Sequence, residues 1–228
     1  KIQHYEILII DECHLVAPSE AGQYHQLINN LKNVNPNLKI LGLTATPYRL
    51  DSGYLTQWET PIFERVVYKI DVKLLIKRGF LCPVVSNGGG VKVDVSKVKH
   101  KGGEFLDSAL ESLYMSKTPE IVADIVKQGI NRKAWLIFCV SIEHAEQVTT
   151  ELISHGVNAA CYHSQSDNEY ILDDFTHGRL RCLVNVNILT TGSNFPIADM
   201  CVLIRATEST ALYVQIVGRV MRLYPDKH

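Results

Sequence analysis

Two kinds of hydrophobic pattern alternate along this chain, and their alternation predicts an α/β fold. Apolar runs bounded by polar residues favour strands, and the first run, YEILII, is typical of a parallel strand covered on both faces. Between the runs, apolar residues recur at the spacing of amphipathic helices. The predicted strands are YEILII (5–10), KILGLTA (39–45), AWLIFCV (134–140), VNAACYH (157–163), RCLVNVN (181–187) and MCVLIR (200–205).

The helices between these strands have recognisable first and last residues. Ser141 is expected to cap a helix that ends at Gly156, and Ser209 to open the last helix. RVVYKI (65–70) is a candidate strand, and DVKLLIKRG (71–79) a short helix that ends at its glycine. The first helix stops at Asn35-Pro36-Asn37, and its apolar face carries Tyr24, Leu27, Ile28, Leu31 and Val34.

The order of these elements predicts two α/β lobes with parallel sheets flanked by helices, the first of them truncated. We assign residues 1–70 to the first lobe and 71–228 to the second. Within the second lobe, residues 80–115 form an extended glycine-rich arm or insertion. Its run Gly88–Gly90 does not fit a phosphate-binding loop, because no Lys-Ser/Thr pair and no helix start follow it.

Composition excludes several classes of protein. The chain has 228 residues and a net charge of -1, so no global basic field indicates a nucleic-acid partner. Its six cysteines are scattered without a C-x-x-C pair, which favours a reducing compartment over a disulfide framework. No apolar run approaches 18 residues and no signal peptide opens the chain, so we expect a cytoplasmic protein.

The stretch DECH, directly after the first predicted strand, has three interpretations. The adjacent carboxylates of Asp11 and Glu12 could hold Mg²⁺ and polarise an attacking water, since Mg²⁺ favours one or two carboxylates together with substrate phosphates. A zinc or thiol site built on Cys13 and His14 is disfavoured, because four clustered ligands are not visible. An acidic loop without chemistry is the third interpretation.

A second pattern, QIVGRVMR, lies near the end of the chain. On a helix, Gln215, Arg219 and Arg222 share one face, because the two arginines follow the glutamine by four and seven residues. Gly218 removes a side chain beside them and lets another surface approach closely. Rigidly held arginines suit a polyphosphate, since guanidinium is always charged and binds phosphate bidentately. A solvated basic stripe is the alternative.

Two short turns follow predicted strands, LTTGSNFP (189–196) and TATP (44–47). In the first, hydroxyls and backbone amides could hold a phosphate or a sugar, and a plain turn explains the pattern equally well. For the second, the alternative interpretation is that the two threonines only cap the sheet.

Together and in this order, these segments resemble the helicase motifs of superfamily 2. DECH resembles motif II, TATP motif III, LIFCVSIEHAEQV motif IV, LTTGSNFP motif V and QIVGRVMR motif VI. GLTATPYRLDSG and the G-G-E-F after the arm most resemble bacterial RadD-like DEAD/DEAH-box helicases. The resemblance implies two RecA-like lobes with ATP in the cleft between them.

The resemblance also implies roles at the nucleotide. Asp11 would position Mg²⁺ and Glu12 would activate the hydrolytic water. Arg219 and Arg222 would act on the γ-phosphate as arginine fingers. The nucleotide site would be completed by His14, Gly192, Asn194 and Gln215, although motif V in this group usually has an acidic residue where Asn194 stands.

Two further roles follow from the same resemblance. Thr44 and Thr46, with His14, would couple the nucleotide state to movement of the lobes. Ser141, Thr190 and Thr191 would lie where strand phosphates run, which explains how a neutral protein can hold nucleic acid. The expected partner is nucleic acid, DNA in preference to RNA.

The predicted function is that of an ATP-dependent helicase fragment. The chain contains no G-x-G-K-T/S, the motif I that cradles the β- and γ-phosphates, so we expect this chain alone to be almost inactive. Two alternatives stay open. One is the translocating motor subunit of a type I or III restriction enzyme, and the other is a non-catalytic interaction module that kept the fold.

Overall fold

The computed structural model divides the chain into two compact units, Lys1–Lys69 and Ile70–His228. The residues that it describes are 3–18, 22–49, 53–96, 98, 100–101, 104–105, 107–166, 168, 170–186, 194–206, 209–225 and 227. None of the helices in these ranges has the length and apolarity that a membrane crossing requires.

The first unit contains one parallel β-α-β arrangement. Strand β1 (Ile7–Ile10) leads into a 3-10 turn (Cys13–Leu15), helix α1 (Gln23–Val34) and strand β2 (Lys39–Gly42). The strands pair in parallel from Ile7 opposite Lys39 to Ile10 opposite Gly42, so the turns after both strands lie at the same edge of the sheet. A short antiparallel pair follows, β3 (Tyr48–Arg49) with β4 (Gly53–Tyr54).

One face of this small sheet holds the core of the unit. Ile10 packs with Val16, Ile28, Leu55 and Phe63, and Leu8 and Ile40 add to the cluster. The expectation that YEILII is covered on both faces is wrong for the described residues, because Ile7 and Ile9 are 56% and 60% exposed. The reason is tertiary, since α1 and the loops of this unit cover the sheet on one side.

The segment 65–70 forms no strand, contrary to expectation. Val66, Val67 and Tyr68 are exposed at 56%, 68% and 79%. Their β-branched and aromatic side chains favour strands, but that preference depends on a neighbouring strand to pack against, and no described strand pairs with this segment.

The second unit opens with a short helix and the arm. Helix α2 (Val72–Lys77) is capped by Asp71, whose carboxylate accepts the amide of Lys73 at 2.8 Å, and Gly79 follows with a φ of +72°. Residues 80–96 are irregular. The rest of the predicted arm, residues 80–115, contains a two-residue pair, β5 (His100–Lys101) with β6 (Glu104–Phe105), and helix α3 (Asp107–Met115), so its last nine residues are helical rather than extended.

The remaining elements build a four-stranded parallel sheet. In chain order they are α4 (Thr118–Gln128), β7 (Trp135–Cys139), α5 (Ile142–Ser154), β8 (Ala159–Tyr162), α6 (Tyr170–Thr176), β9 (Cys182–Asn185), β10 (Met200–Ile204) and α7 (Thr210–Val220). The strand order is β10-β7-β9-β8, and each neighbouring pair is parallel. Ser141 and Ser209 cap α5 and α7 as predicted, through amides of His144 and Leu212.

Helices cover both faces of this sheet, as the apolar runs predict. Side chains of β7 alternate between two clusters, so Trp135, Ile137 and Cys139 face α4 and α5. Leu136 and Phe138 lie in the other cluster, which contains residues of α6 and α7. All five residues of β7 are buried. The sheet therefore presents the carboxyl ends of four parallel strands at one edge, where α/β proteins bind ligands.

Candidate nucleotide-binding and coupling site

The DECH segment forms a tight turn at the carboxyl end of β1. Glu12 has φ 47° and ψ 44°, and it is the one non-glycine residue with positive φ among those that the structure describes. A left-handed backbone is uncommon for glutamate and persists where the surroundings enforce it. Here the amide of Glu12 donates to Oδ1 of Asp11 at 2.9 Å, and the amide of Cys13 donates to the carbonyl of Leu43 at 3.0 Å.

The exposed carboxylate of Asp11 is compatible with Mg²⁺. One oxygen accepts the amide of Glu12, and the exposure of the side chain leaves the other for a hydrated ion. The described residues contain no group of three or more His, Cys, Asp or Glu side chains that could hold a metal. An ion at Asp11 would therefore take its other ligands from water and phosphate, which is the mode of binding that Mg²⁺ prefers.

The imidazole of His14 joins the two motifs of the first unit. Its Nδ1 lies 2.9 Å from Oγ1 of Thr44 and 3.3 Å from Oε2 of Glu12. The hydroxyl of Thr44 donates to the carbonyl of Thr46 at 3.2 Å and accepts the amide of Thr46 at 3.0 Å. Since that hydroxyl already donates elsewhere and a carboxylate only accepts, Nδ1 carries the proton. Glu12, His14, Thr44 and Thr46 thus form one connected chain of polar contacts.

The environment of His14 favours its neutral form. The side chain is 8% exposed, and burial is the main cause that lowers its pKa. The guanidinium of Arg49 lowers this pKa further, and the carboxylate of Glu12 opposes both effects. At neutral pH the imidazole therefore acts as a polar connector rather than as a cation.

Close packing fixes the DECH turn on β2. A Cβ atom added to Gly42 would lie 2.6 Å from both Sγ of Cys13 and Cε1 of Phe63. Such distances are shorter than van der Waals contact, so only glycine fits at this position of the strand. Cys13 is 3% exposed, and burial raises the pKa of its thiol.

In the second unit, the predicted arginines lie at the end of α7. Gln215 is half-buried and Arg219 is 5% exposed, both within the helix. The helix ends at Val220, so the expectation that Arg222 shares their helical face is wrong. One local cause is Pro225, because a proline disfavours helical backbone at the residue before it. Beyond the helix, the amide of Cys82 donates to the carbonyl of Met221 at 2.7 Å and Lys227 Nζ donates to that of Arg222 at 2.9 Å.

The structure brings Arg222 and Asn194 together. The guanidinium of Arg222 donates to Oδ1 of Asn194, and both side chains are exposed. Apart from the backbone of its own helix, none of the described residues would lie within 4 Å of a Cβ atom added to Gly218. Thr190, Thr191 and Gly192, predicted to bind strand phosphates and nucleotide, lie outside the described residues.

The hydroxyl of Ser141, predicted to contact strand phosphates, has two partners within the second unit. It accepts the amide of His144 at 3.1 Å and donates to the carboxylate of Glu111 on α3. His144 is fully buried and stacks on Tyr114, with ring centroids 5.9 Å apart. Burial lowers the pKa of His144 to about 4, and Glu111 opposes that shift. The hydroxyl that caps α5 is therefore also bound by a carboxylate of α3.

The cysteines are free thiols in apolar surroundings. Burial raises the pKa of Cys161 to about 11 and that of Cys201 to about 12. Burial also raises the pKa of Cys139 and Cys182, so these thiols stay protonated at neutral pH.

Sequence reasoning missed two residues of these sites, Arg49 and Glu111. Arg49 stands directly after TATP, and Nη1 of its guanidinium donates to the carbonyl of His14 at 3.1 Å. An arginine beside a motif of threonines is a weak signal, because its partners lie 33 and 35 residues earlier. Glu111 has no sequence signal, since it lies in the arm and contacts a residue 30 positions later.

Two protein-family models match the chain. The helicase conserved C-terminal domain matches residues 117–224, within the second unit. The res subunit of type III restriction enzymes matches residues 1–49, within the first unit. The first range includes the segments predicted as motifs IV, V and VI, and the second includes those predicted as motifs II and III.

Curated relatives match nearly the whole chain. A Saccharomyces cerevisiae protein named as the ATP-dependent helicase IRC3 is 28% identical over 97% of this chain and 32% of its own length. The endonuclease subunit of the type I restriction enzyme EcoAI from Escherichia coli is 23% identical over 96% of this chain and 30% of its own length. The chain thus spans about a third of these relatives. No match tests the narrower resemblance to RadD-like helicases.

A solved structure supports the same assignment. A fragment assigned to the HsdR subunit of a type I restriction enzyme from Vibrio vulnificus YJ016 has a TM-score of 0.63 and 26% identity. The match covers 98% of this chain and 41% of the HsdR fragment. The likeness agrees with the predicted α/β class of parallel sheets flanked by helices. A helicase model matches the second unit and a restriction-enzyme model matches the first, and these matches support the assignment of this chain to a superfamily 2 helicase core.

Proposed function

We propose that the full-length protein couples ATP hydrolysis to strand separation or translocation on nucleic acid, with DNA as the track. The observation that carries the proposal is the contact chain from Glu12 through His14 to Thr44, because it links a hydrolysis carboxylate to the neighbouring motif. The name of the IRC3 relative supports ATP use, and the restriction-enzyme relatives support DNA.

In this proposal the two carboxylates of the DECH turn have different tasks. Asp11 holds a hydrated Mg²⁺, which neutralises phosphate charge when it is bound. Oε2 of Glu12 lies against His14, while the side chain as a whole is 40% exposed. The other carboxylate oxygen is therefore available to accept a proton from the attacking water.

The second unit supplies positive charge and phosphate contacts in this proposal. Arg219 and Arg222 stabilise charge that develops on the γ-phosphate, and Gln215, Gly192 and Asn194 complete the nucleotide contacts. Thr190 and Thr191 contact strand phosphates, and Ser141 joins them only when its hydroxyl leaves the carboxylate of Glu111. We also expect a reducing, cytoplasmic compartment, because the six cysteines are free thiols.

The test is the ATPase rate of the full-length protein with single-stranded DNA, duplex DNA and RNA of equal length. We expect stimulation by DNA, and binding that weakens as salt rises, because phosphate contacts release counterions. Glu12→Gln should keep ATP affinity and lower kcat by about 10²-fold or more, as for loss of a general base. A wild-type rate in that variant, or no ATPase activity with any polymer, would contradict the proposal.

The 228-residue chain alone should behave differently. It contains no G-x-G-K-T/S to cradle the β- and γ-phosphates, so we expect weak ATP binding and almost no turnover. A robust DNA-stimulated ATPase rate from this chain would overturn that expectation.

A second candidate function is that of a translocating motor in a restriction enzyme. The match to the res subunit over residues 1–49 and the likeness to HsdR favour it. A triplex-displacement assay reports translocation on duplex DNA, and a forked substrate reports unwinding. Triplex displacement without unwinding by the full-length protein would favour this candidate over a helicase.

A further inference from the structure

We propose that Arg49 is a positioning residue that holds the catalytic carboxylate of Glu12 in place by binding the turn that follows it. This inference rests on the proposed function and goes beyond it, because it assigns a role to the arginine that follows TATP. Arg49 touches neither nucleotide nor metal in this assignment, and it acts through the backbone of the DECH turn.

The contacts of Arg49 span the end of the 3-10 turn. Its Nη1 donates to the carbonyl of His14 at 3.1 Å and to that of Val16 at 3.4 Å. The turn itself uses the carbonyls of Glu12 and Cys13, which accept the amides of Leu15 and Val16. The final carbonyls of a helical turn have no partner within it and need one from outside. Nη1 of Arg49 is such a donor from outside the turn, and it binds two carbonyls, those of His14 and Val16.

The surroundings of these carbonyls leave little room for water as a substitute. His14 is 8% exposed and Val16 is fully buried. A buried carbonyl without a donor is unfavourable, so removal of the guanidinium would force the turn to move. The arginine comes from β3, which begins at Tyr48, and its partners lie 33 and 35 residues earlier.

The turn is fixed from two sides, and Glu12 stands at its start. On one side the amide of Cys13 is bound to the carbonyl of Leu43 at the end of β2, and on the other Arg49 binds the end of the turn. The left-handed backbone of Glu12 lies directly before it. Because such a conformation is maintained only by its surroundings, release of one anchor allows Glu12 to leave it.

The charge of Arg49 adds a second effect at the same place. It lowers the pKa of His14, after the larger effect of burial. A neutral imidazole with its proton on Nδ1 donates to Oγ1 of Thr44, and the same nitrogen lies 3.3 Å from Oε2 of Glu12. Without Arg49, His14 would take up a second proton at a higher pH.

The experiment compares Arg49→Ala and Arg49→Lys in the full-length protein, with Arg65→Ala as the matched control. Arg65 is an exposed arginine of the first unit in the irregular segment 65–70. For Arg49→Ala we expect kcat to fall about 10²-fold, the usual effect of a misplaced catalytic group. The KM for ATP should change less than about 3-fold, as for an interaction that acts in the transition state. Arg49→Lys should recover part of the rate, because an ammonium can donate to both carbonyls.

Amide hydrogen exchange gives a readout that does not depend on activity. In Arg49→Ala the amides of residues 13–16 should exchange at least about 10-fold faster, as expected of local opening, while α1 keeps its protection. Unchanged exchange at residues 13–16 in Arg49→Ala would overturn the inference, whether or not the wild-type protein is active. An inactive wild-type protein would by itself refute only the proposed function. An active wild type with normal kcat in Arg49→Ala would refute the inference alone.

Discussion

At the scale of the residue, the hydroxyl of Thr44 has more partners than any other group of TATP. It contacts His14 and both backbone groups of Thr46. The hydroxyl of Thr46, only two residues later, is buried without a hydrogen-bond partner in the described structure. Two threonines that look equivalent in the sequence therefore contribute differently.

This difference gives a matched pair of variants. Thr44→Val should lower the free energy of unfolding by about 2 kcal/mol, since it leaves buried polar partners unsatisfied. Thr46→Val should change it by less than about 0.5 kcal/mol or raise it, because an unpaired buried hydroxyl is replaced by a methyl group. Urea denaturation of the 228-residue chain measures both values, and equal losses in the two variants would refute the assigned contacts.

At the scale of the element, two glycines have opposite requirements. Gly42 on β2 lies against Cys13 and Phe63, whereas Gly218 on α7 has open space beside it. The first glycine is needed for packing within its own unit. The second leaves room beside a helix that carries a predicted nucleotide residue.

Alanine at the two positions should therefore have effects of opposite sign on stability. Gly42→Ala should lower the free energy of unfolding by about 1–3 kcal/mol, as overpacking does. Gly218→Ala should raise it by about 0.5–1 kcal/mol, because glycine destabilises a helix interior relative to alanine. Thermal unfolding of the two variants is the measurement. Stabilisation by Gly42→Ala would show that Cys13 and Phe63 do not pack on this strand as described.

Elements governed by local chemistry were predictable from the sequence, and those governed by distant contacts were not. Ser141 and Ser209 cap the predicted helices, because a hydroxyl and an amide three residues on are sufficient. The exposure of Ile7 depends on what covers a sheet face, which its own run of residues does not encode.

The candidate site divides in the same way. The turns after β1 and β2 follow from their apolar runs, since parallel strands bring their carboxyl ends to one edge. Contacts across long separations were not predictable. The carbonyl of Met221, after α7, accepts the amide of Cys82, and the end of the DECH turn is bound by Arg49. The assigned nucleotide and nucleic-acid roles stay predictions.

At the scale of the whole molecule, the two units differ in how completely they bury their sheets. The second unit has a four-stranded sheet with clusters on both faces, whereas the first has two strands with one covered face. Small sheets with little buried surface have low independent stability. The first unit should therefore unfold more easily than the second.

The two tryptophans of the chain make this testable, because Trp58 lies in the first unit and Trp135 in the second. Tryptophan fluorescence of the 228-residue chain in urea should show two transitions separated by about 1 M or more. In Trp58→Phe the transition at lower urea should disappear from the fluorescence signal while the other remains. A single transition that both tryptophans report would show that the units unfold together.

The burial of Cys13 makes the DECH turn accessible to kinetic measurement without an added label. Its sulfur lies against β2 in the closed turn, so a thiol reagent in solution reaches it only during an opening of that region. At reagent concentrations where modification outpaces reclosing, the rate of modification at this one cysteine equals the rate of opening, and at lower concentrations it reports the open fraction. The residue that follows Glu12 in the chain thus reports the opening of the turn that holds Glu12.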